Sequence, residues 1–286
     1  MKLVFANNLV CPIDGSALTP HEHSLTCPKG HNFDKARQGY LNLLVVQHKA
    51  SRDPGDTKEM VAARTRFLST GCYEPIAHAI ADLTKKHLAH IPCAERVTIL
   101  DAGCGEGYYL DWMGKKAATW NSEAVLIGLD ISKWAIQSAA KRSREITWIV
   151  GSNRRPPFLA RSIDLIVCAF GFPSFEDFRH ILKPRGKIIL VDPGVNHLIE
   201  MRQVIYSELR EKISPAIAST EAEGFNLVDR YNLSYRSEVS RSEDIQDLFA
   251  MTPHYFRSPQ SGKTALAQLK QLAFTVDVNF RILVVA

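Results

Sequence analysis

The residues best suited to chemistry lie in the run DAGCGEG at 101–107, where Asp101 leads Gly103, Gly105 and Gly107. Three glycines at alternate positions let the backbone turn sharply and let a ligand approach with no Cβ in the way. Asp130 lies at the end of the next β-rich run, where its carboxylate can accept both hydroxyl protons of a ribose. A dinucleotide loop GxGxxG needs its third glycine for close packing of helix on strand. Counted from Gly103, that position is Tyr108, which is too large. The spacing GxGxG therefore points to a different nucleoside.

Those residues need a sheet to hold them, and the sequence supplies one. From Val97 onward, short β-rich runs alternate with helical ones: strands at 97–102, 125–130, 147–150, 163–170 and 187–192, with helices at 133–144 and 175–182. Such alternation with short links predicts a mainly parallel sheet covered on both faces, an α/β Rossmann-like domain. The turns that carry Asp101, Asp130 and Ser152–Asn153 then fall together at the carboxyl ends of the strands, where open α/β sheets bind ligands. Beyond this come a helix at 196–212, a strand at 225–233, and helices at 242–250 and 264–272. The alternating run 274–280 predicts a half-exposed antiparallel strand at or near an edge. Upstream, helices are expected at 57–69 and 75–87, with Gly71 as the stop between them and Pro75 in a first turn.

A second set of chemical groups stands near the N-terminus. Cys11 and Asp14, then Cys27 and His31, form two close pairs separated by a loop, a spacing that suits zinc. Asp14 stands where a C-x2-C pair would have its second cysteine, and His21 or His23 is the alternative fourth ligand. Residues 1–46 thus read as a small zinc-binding knuckle, 47–92 as a helical linker, and 93–286 as the α/β domain. The other cysteines are scattered singly, as in a reducing compartment. Nothing approaches the roughly 18 apolar residues of a membrane span, and the expected setting is the cytoplasm. The net charge is +5, but residues 29–66 hold eight basic against four acidic side chains, a candidate phosphate-facing surface around His48, Lys49, Arg52 and Arg64. An ion pair between Arg52 and Asp53 would instead order the linker.

The glycine loop, led by its acidic residue, resembles motif I of class I S-adenosylmethionine-dependent methyltransferases. A wider resemblance is carried by CP at 27–28, GHNFD at 30–34, GYLNL at 39–43, QHK at 47–49 and SRDPGD at 51–56. Met60, Arg64, Phe67, Leu68, DAGCGEGYY at 101–109, GLDISK at 128–133, Pro193, Gly194, His197, Leu198 and MTP at 251–253 complete it. On these residues the chain is similar to the bacterial 23S rRNA (guanine-N1)-methyltransferases. The resemblance implies an enzyme with a zinc-bearing RNA-recognition module, a 23S rRNA hairpin as substrate, and a homodimer whose modules form a basic cleft. It also implies that the cofactor lies among Asp101, Gly103, Gly105, Gly107, Tyr108, Tyr109, Asp130, Ser152, Asn153 and His197. Asp14, in place of a cysteine, and the aromatic turn at 169–173 depart from the family pattern.

In that turn, Phe170 and Phe172 are candidate stacking faces for a splayed guanine, or else core residues. Glu176, Asp177 and His197 are the candidate proton acceptors. Two rival functions stay open on sequence: a small-molecule methyltransferase on the same core, and a non-catalytic RNA-binding paralogue.

Overall fold

The computed structural model describes residues 2–3, 5–45, 47, 51, 53–89, 91–92, 95–117, 123–209 and 224–286. His48, Lys49 and Arg52 of the expected phosphate surface, and Cys93, lie outside them. Five short strands come first: β1 (Lys2–Leu3), β2 (Thr19–Pro20), β3 (Ser24–Thr26), β4 (Asn32–Asp34) and β5 (Leu41–Asn42). Two helices follow, α1 (Lys58–Leu68) and α2 (Glu74–Leu88). Thr57 caps α1 by accepting the Met60 N–H, and Gly71, at φ +83°, turns the chain into α2.

The α/β unit then runs β6 (Val97–Ala102), α3 (Tyr108–Ala117), β7 (Glu123–Asp130), α4 (Lys133–Arg142), β8 (Thr147–Val150), β9 (Ile163–Ala169), α5 (Phe175–Ile181) and β10 (Leu182–Pro193). It closes with α6 (Ile199–Ile205), β11 (Phe225–Val239), α7 (Ser242–Ala250), α8 (His254–Arg257), α9 (Gln260–Ala267) and β12 (Leu272–Val285). Among the described residues the main sheet has nine strands in the order β11-β12-β10-β9-β6-β7-β8-β5, with β1 beside β7. The strands β5 to β10 are parallel, and β11 and β12 are antiparallel additions. Strands β6 and β9 are buried along their whole length, which is why they read as unbroken apolar runs.

The N-terminal region is more ordered than a loop-rich knuckle. Strands β2, β3 and β4 make a small sheet of their own, while β1 and β5 join the main sheet and Leu9 bridges to Phe158.

Three element expectations need correction. The helix expected over 196–212 is only α6, because Asn196 N–H is held by the Asp277 carboxylate and Leu198 takes a left-handed φ of +52° before the helix starts. Its last residues, 210–212, lie outside the described set. The helix expected over 264–272 begins and ends earlier, since Pro259 sets its first turn and Leu272 already belongs to β12. Strand β12 lies second from the edge and is not half-exposed. Asp277 on its polar face is buried beneath the 193–196 turn, accepting hydrogen bonds from Asn196 N and Asn232 Nδ2.

Among the described residues no helix is long and apolar enough to cross a membrane. Trp148, fully buried on β8, fills the space beneath the glycine loop. A Cβ on Gly128 would lie 2.3 Å from its ring and one on Gly107 2.6 Å from it. Gly128→Ala should therefore destabilise the protein by about 1–3 kcal/mol through overpacking, measured by denaturant unfolding. A variant as stable as the parent would show that Trp148 moves freely.

Candidate active site and metal centre

The loop 103–107 joins β6 to α3 at the carboxyl edge of the sheet. Gly103, Gly105 and Gly107 all take positive φ, at +87°, +55° and +82°. Gly107 seats the loop against Trp148, whereas Gly103 faces open space, with the Gly171 backbone and the Asn153 amide nearly 4 Å from where a Cβ would lie. Two glycines here serve opposite ends: one allows packing below, the other leaves room above.

Asp101 is buried at the strand end, and neither of its carboxylate oxygens has a hydrogen-bond partner. Burial first, and the neighbouring charge of Asp130 second, push its carboxyl up to about 8. Asp130 differs. Its Oδ2 accepts from Gly105 N–H at 2.9 Å and its Oδ1 from Ser132 N–H at 2.7 Å, so the carboxylate is fixed in orientation. Each oxygen keeps a second lone pair for a ligand hydroxyl.

The rest of the pocket is aromatic on one side. Phe170 ends β9 in a left-handed conformation, φ +55°, and its ring lies 6.0–6.4 Å from those of Tyr73, Tyr109 and His197. A non-glycine residue so placed carries local backbone strain, held here by the ring packing. That turn throws the next aromatic outward: Phe172 is 91% exposed, and its carbonyl accepts from Asn153 Nδ2 at 3.0 Å.

The structure thus brings together Asp101, Gly103, Gly105, Asp130 and Asn153 around one mouth, with Tyr109 behind. Ser152 accepts the Arg154 N–H in the turn after β8, and Tyr108 lies under the Arg142 guanidinium. His197 is one layer back, its Nδ1 accepting Asp277 N–H and its Nε2 3.1 Å from Tyr73 Oη. Asp177 accepts from the Ser174 hydroxyl, and with Glu176 it lines a separate groove of about 990 Å³ at the amino-terminal ends of β9 and β10.

Sequence reasoning missed two members of this site, Ser132 and Tyr73, and gave a third, Arg64, a different task. Ser132 caps α4 and donates to the Asp56 carbonyl at 2.7 Å, tying the linker to the Asp130 turn. Tyr73 supports Phe170. Arg64, read as a phosphate contact, lies over Gly105 instead and pairs with Asp56 at 2.7 Å.

The second site lies in the small sheet. Cys11 Sγ, Asp14 Oδ2, Cys27 Sγ and His31 Nδ1 all lie within 4.8 Å of one another. His31 Nδ1 is 3.5 Å from Cys11, 3.3 Å from Cys27 and 3.0 Å from Asp14, and Cys27 is 3.4 Å from Asp14. A tetrahedron of zinc bonds has edges of about 3.3–3.8 Å, and these separations of 3.0–3.5 Å come near it. Two similar turns present them: Gly15 N–H bonds to Cys11 O, and Gly30 N–H to Cys27 O, each glycine at positive φ. Ser16 donates to Asp14 Oδ1 from both its N–H and its hydroxyl, which holds the carboxyl well below the usual range and leaves Oδ2 turned to the sulfurs. His21 bonds Thr26 and His23 is exposed beside Glu22; neither belongs to the cluster.

A parallel sheet with a GxGxG loop, an acidic strand end and a ribbon of four metal donors defines a class I S-adenosylmethionine-dependent methyltransferase with an attached zinc ribbon. The chain matches the zinc-ribbon family described as RlmA, N-terminal, over residues 9–52, and the family described as Methyltransferase domain over 99–186. It is 30% identical over 279 residues to the 23S rRNA (guanine(748)-N(1))-methyltransferase of Streptomyces fradiae, covering 96% of this chain and 95% of that one. Bacillus subtilis YxjB and a Micromonospora griseorubida protein both bear the 23S rRNA (guanine-N(1)-)-methyltransferase name. They are 31% and 33% identical, over 95% and 96% of both chains. The chain belongs to the 23S rRNA (guanine-N1)-methyltransferase family.

Removing one donor should empty the metal centre. Cys27→Ser is expected to abolish stoichiometric zinc in elemental analysis, while Asp14→Cys should tighten zinc by about tenfold or more in chelator competition, because thiolate suits the ion better. Equal affinity of Asp14→Ala and the parent would exclude Asp14 as a ligand.

Proposed function

We propose that this protein methylates N1 of a guanine in a 23S rRNA hairpin, using S-adenosylmethionine held by the 101–107 loop. The observation that carries the reading is that Asn153, whose amide lies nearly 4 Å from where a Cβ on Gly103 would be, also donates to the carbonyl of Phe172, so that an outward aromatic ring stands next to the open side of the glycine loop. Bound there, the cofactor supplies an electrophilic sulfonium methyl group. Asp101 receives its ammonium, the open face of Gly103 takes the methionine chain, and Asp130 holds both ribose hydroxyls. Ser152 and Asn153 border the adenine, and Tyr108, Tyr109 and His197, the last acting through Phe170, wall the pocket.

Attack on the methyl group is in line, so positioning carries much of the rate. Phe172 stacks on the guanine once it has left its helix, a step made easier in a hairpin loop. Guanine N1 must lose its proton before it attacks. Both His197 nitrogens are engaged, and Glu176 and Asp177 line the separate groove at the amino-terminal ends of β9 and β10, so none of these offers a proton acceptor beside the glycine loop. We assign the chain the task of orienting the base and leave the proton to solvent. A homodimer with paired ribbons, working in the cytoplasm where ribosomes assemble, completes the proposal.

Labelled S-adenosylmethionine and rRNA lacking the modification should yield N1-methylguanosine on digestion. Label confined to small metabolites would establish the small-molecule reading, and cofactor binding without transfer the non-catalytic one. Phe172→Ala should lower kcat/KM for RNA by about tenfold or more, the loss expected of one base stack, without changing cofactor affinity.

Asp101 also sets a pH dependence. Its carboxyl is raised in the free protein, to about 8, and an ammonium partner favours the charged form, so binding releases a proton below that pH. Affinity for S-adenosylhomocysteine should rise, by up to about tenfold per unit, from about pH 6 to about pH 8, then level off. Calorimetry should show the slope vanish in Asp101→Asn; a flat profile in the parent would remove Asp101 from the site.

A further inference from the structure

We propose that Arg64, carried on the linker helix α1, is the receptor for the carboxylate of the cofactor's methionine part. The proposal rests on the cofactor reading above and assigns the charge that reading leaves unanswered. A methionine moiety is a zwitterion. Asp101 offers two unpartnered oxygens to its ammonium, but the same pocket holds the carboxylates of Asp101, Asp130 and, close by, Asp56. A further carboxylate brought among these three requires a cation.

Arg64 lies where that cation is needed. Its Nη1 and Cδ reach 3.4 and 3.8 Å from the position of a Cβ on Gly105, so its side chain crosses the middle of the glycine loop. Its Nε is buried and has no hydrogen-bond partner. Asp56 accepts from Nη2 alone, at 2.7 Å, leaving Nε and Nη1 to donate elsewhere. Arg142, which also reaches this loop, is held by Glu106 through both Nε and Nη2. A buried N–H left without a partner is costly, and an anionic ligand over Gly105 would satisfy it.

The linker is built to hold Arg64 in place. Gly55, at φ +85°, lies so close to Ile131 and Ser132 that a Cβ would come within 2.9 Å of both. Ser132, one turn from the ribose carboxylate, donates to the Asp56 carbonyl. Asp56 is thereby a positioning residue. It sits on the Asp130 turn with one group and steers the guanidinium with another.

Three ligands separate the charges: S-adenosylhomocysteine, its decarboxylated counterpart, which keeps the ammonium, and methylthioadenosine, which has neither group. The full-length protein should bind the intact ligand more tightly than the decarboxylated one by about 10- to 100-fold, the worth of a hydrogen-bonded ion pair. Arg64→Met should bring that ratio to within about twofold, leave methylthioadenosine binding unchanged, and respond to Arg64→Lys by partial recovery. Asp101→Asn should weaken both amine-bearing ligands and spare methylthioadenosine.

If Arg64→Met weakened all three ligands alike, Arg64 would be structural and the proposal would fall. Should the variant not fold, the ratio in the parent still decides: equal binding of intact and decarboxylated ligands means the carboxylate has no receptor. A parent that binds none of the three would overturn the cofactor reading itself, and this assignment with it.

Discussion

A buried carboxylate with no partner organises this protein. Asp101 ends the central strand of the sheet, both its oxygens unbonded and its acid form favoured by burial. Such a group is costly to keep in a folded chain unless a ligand repays its desolvation. Around it stand the glycines that keep side chains off the loop, Trp148 that supports the loop from below, and Asp130 fixed by two backbone N–H groups.

The linker belongs to this opening as much as the α/β unit does. Gly55 and Asp56 rest on the Asp130 turn, and Arg64 crosses the glycine loop, so the segment that follows the zinc ribbon packs directly on both turns. The ribbon's own neighbours point the same way. Val10 N–H bonds to Pro157 O and Leu159 N–H to Asn8 O, which ties the start of the metal module to the loop carrying Ser152 and Asn153. Ribbon, linker and α/β unit thus meet beside the turns at the carboxyl ends of β7 and β8.

The two departures from the family pattern acquire physical meaning in the fold. Asp14 fills the cysteine's place among the donors because Ser16 orients its carboxylate and keeps it ionised. The aromatic turn after β9 uses a strained Phe170 as an anchor, packed on Tyr73, Tyr109 and His197, so that Phe172 can stand out in solvent. Sequence left these two phenylalanines equivalent; the fold packs one and exposes the other.

What could be read from the residues alone was whatever depends on local spacing. The glycine loop, the acidic strand ends, the alternation of strands with helices and the paired metal donors all follow from short-range rules of backbone geometry and periodicity. The shorter helix at 199–205, the covered face of β12 and the seat of Arg64 do not, because each is decided by a partner far along the chain: Asp277, the 193–196 turn and the Gly105 loop. Alternation shows that a strand has two faces, and a positive charge shows that a residue seeks an anion. Only the packed structure chooses which neighbour covers the face and which anion the charge meets, since that choice is made by contacts between elements that the sequence holds apart.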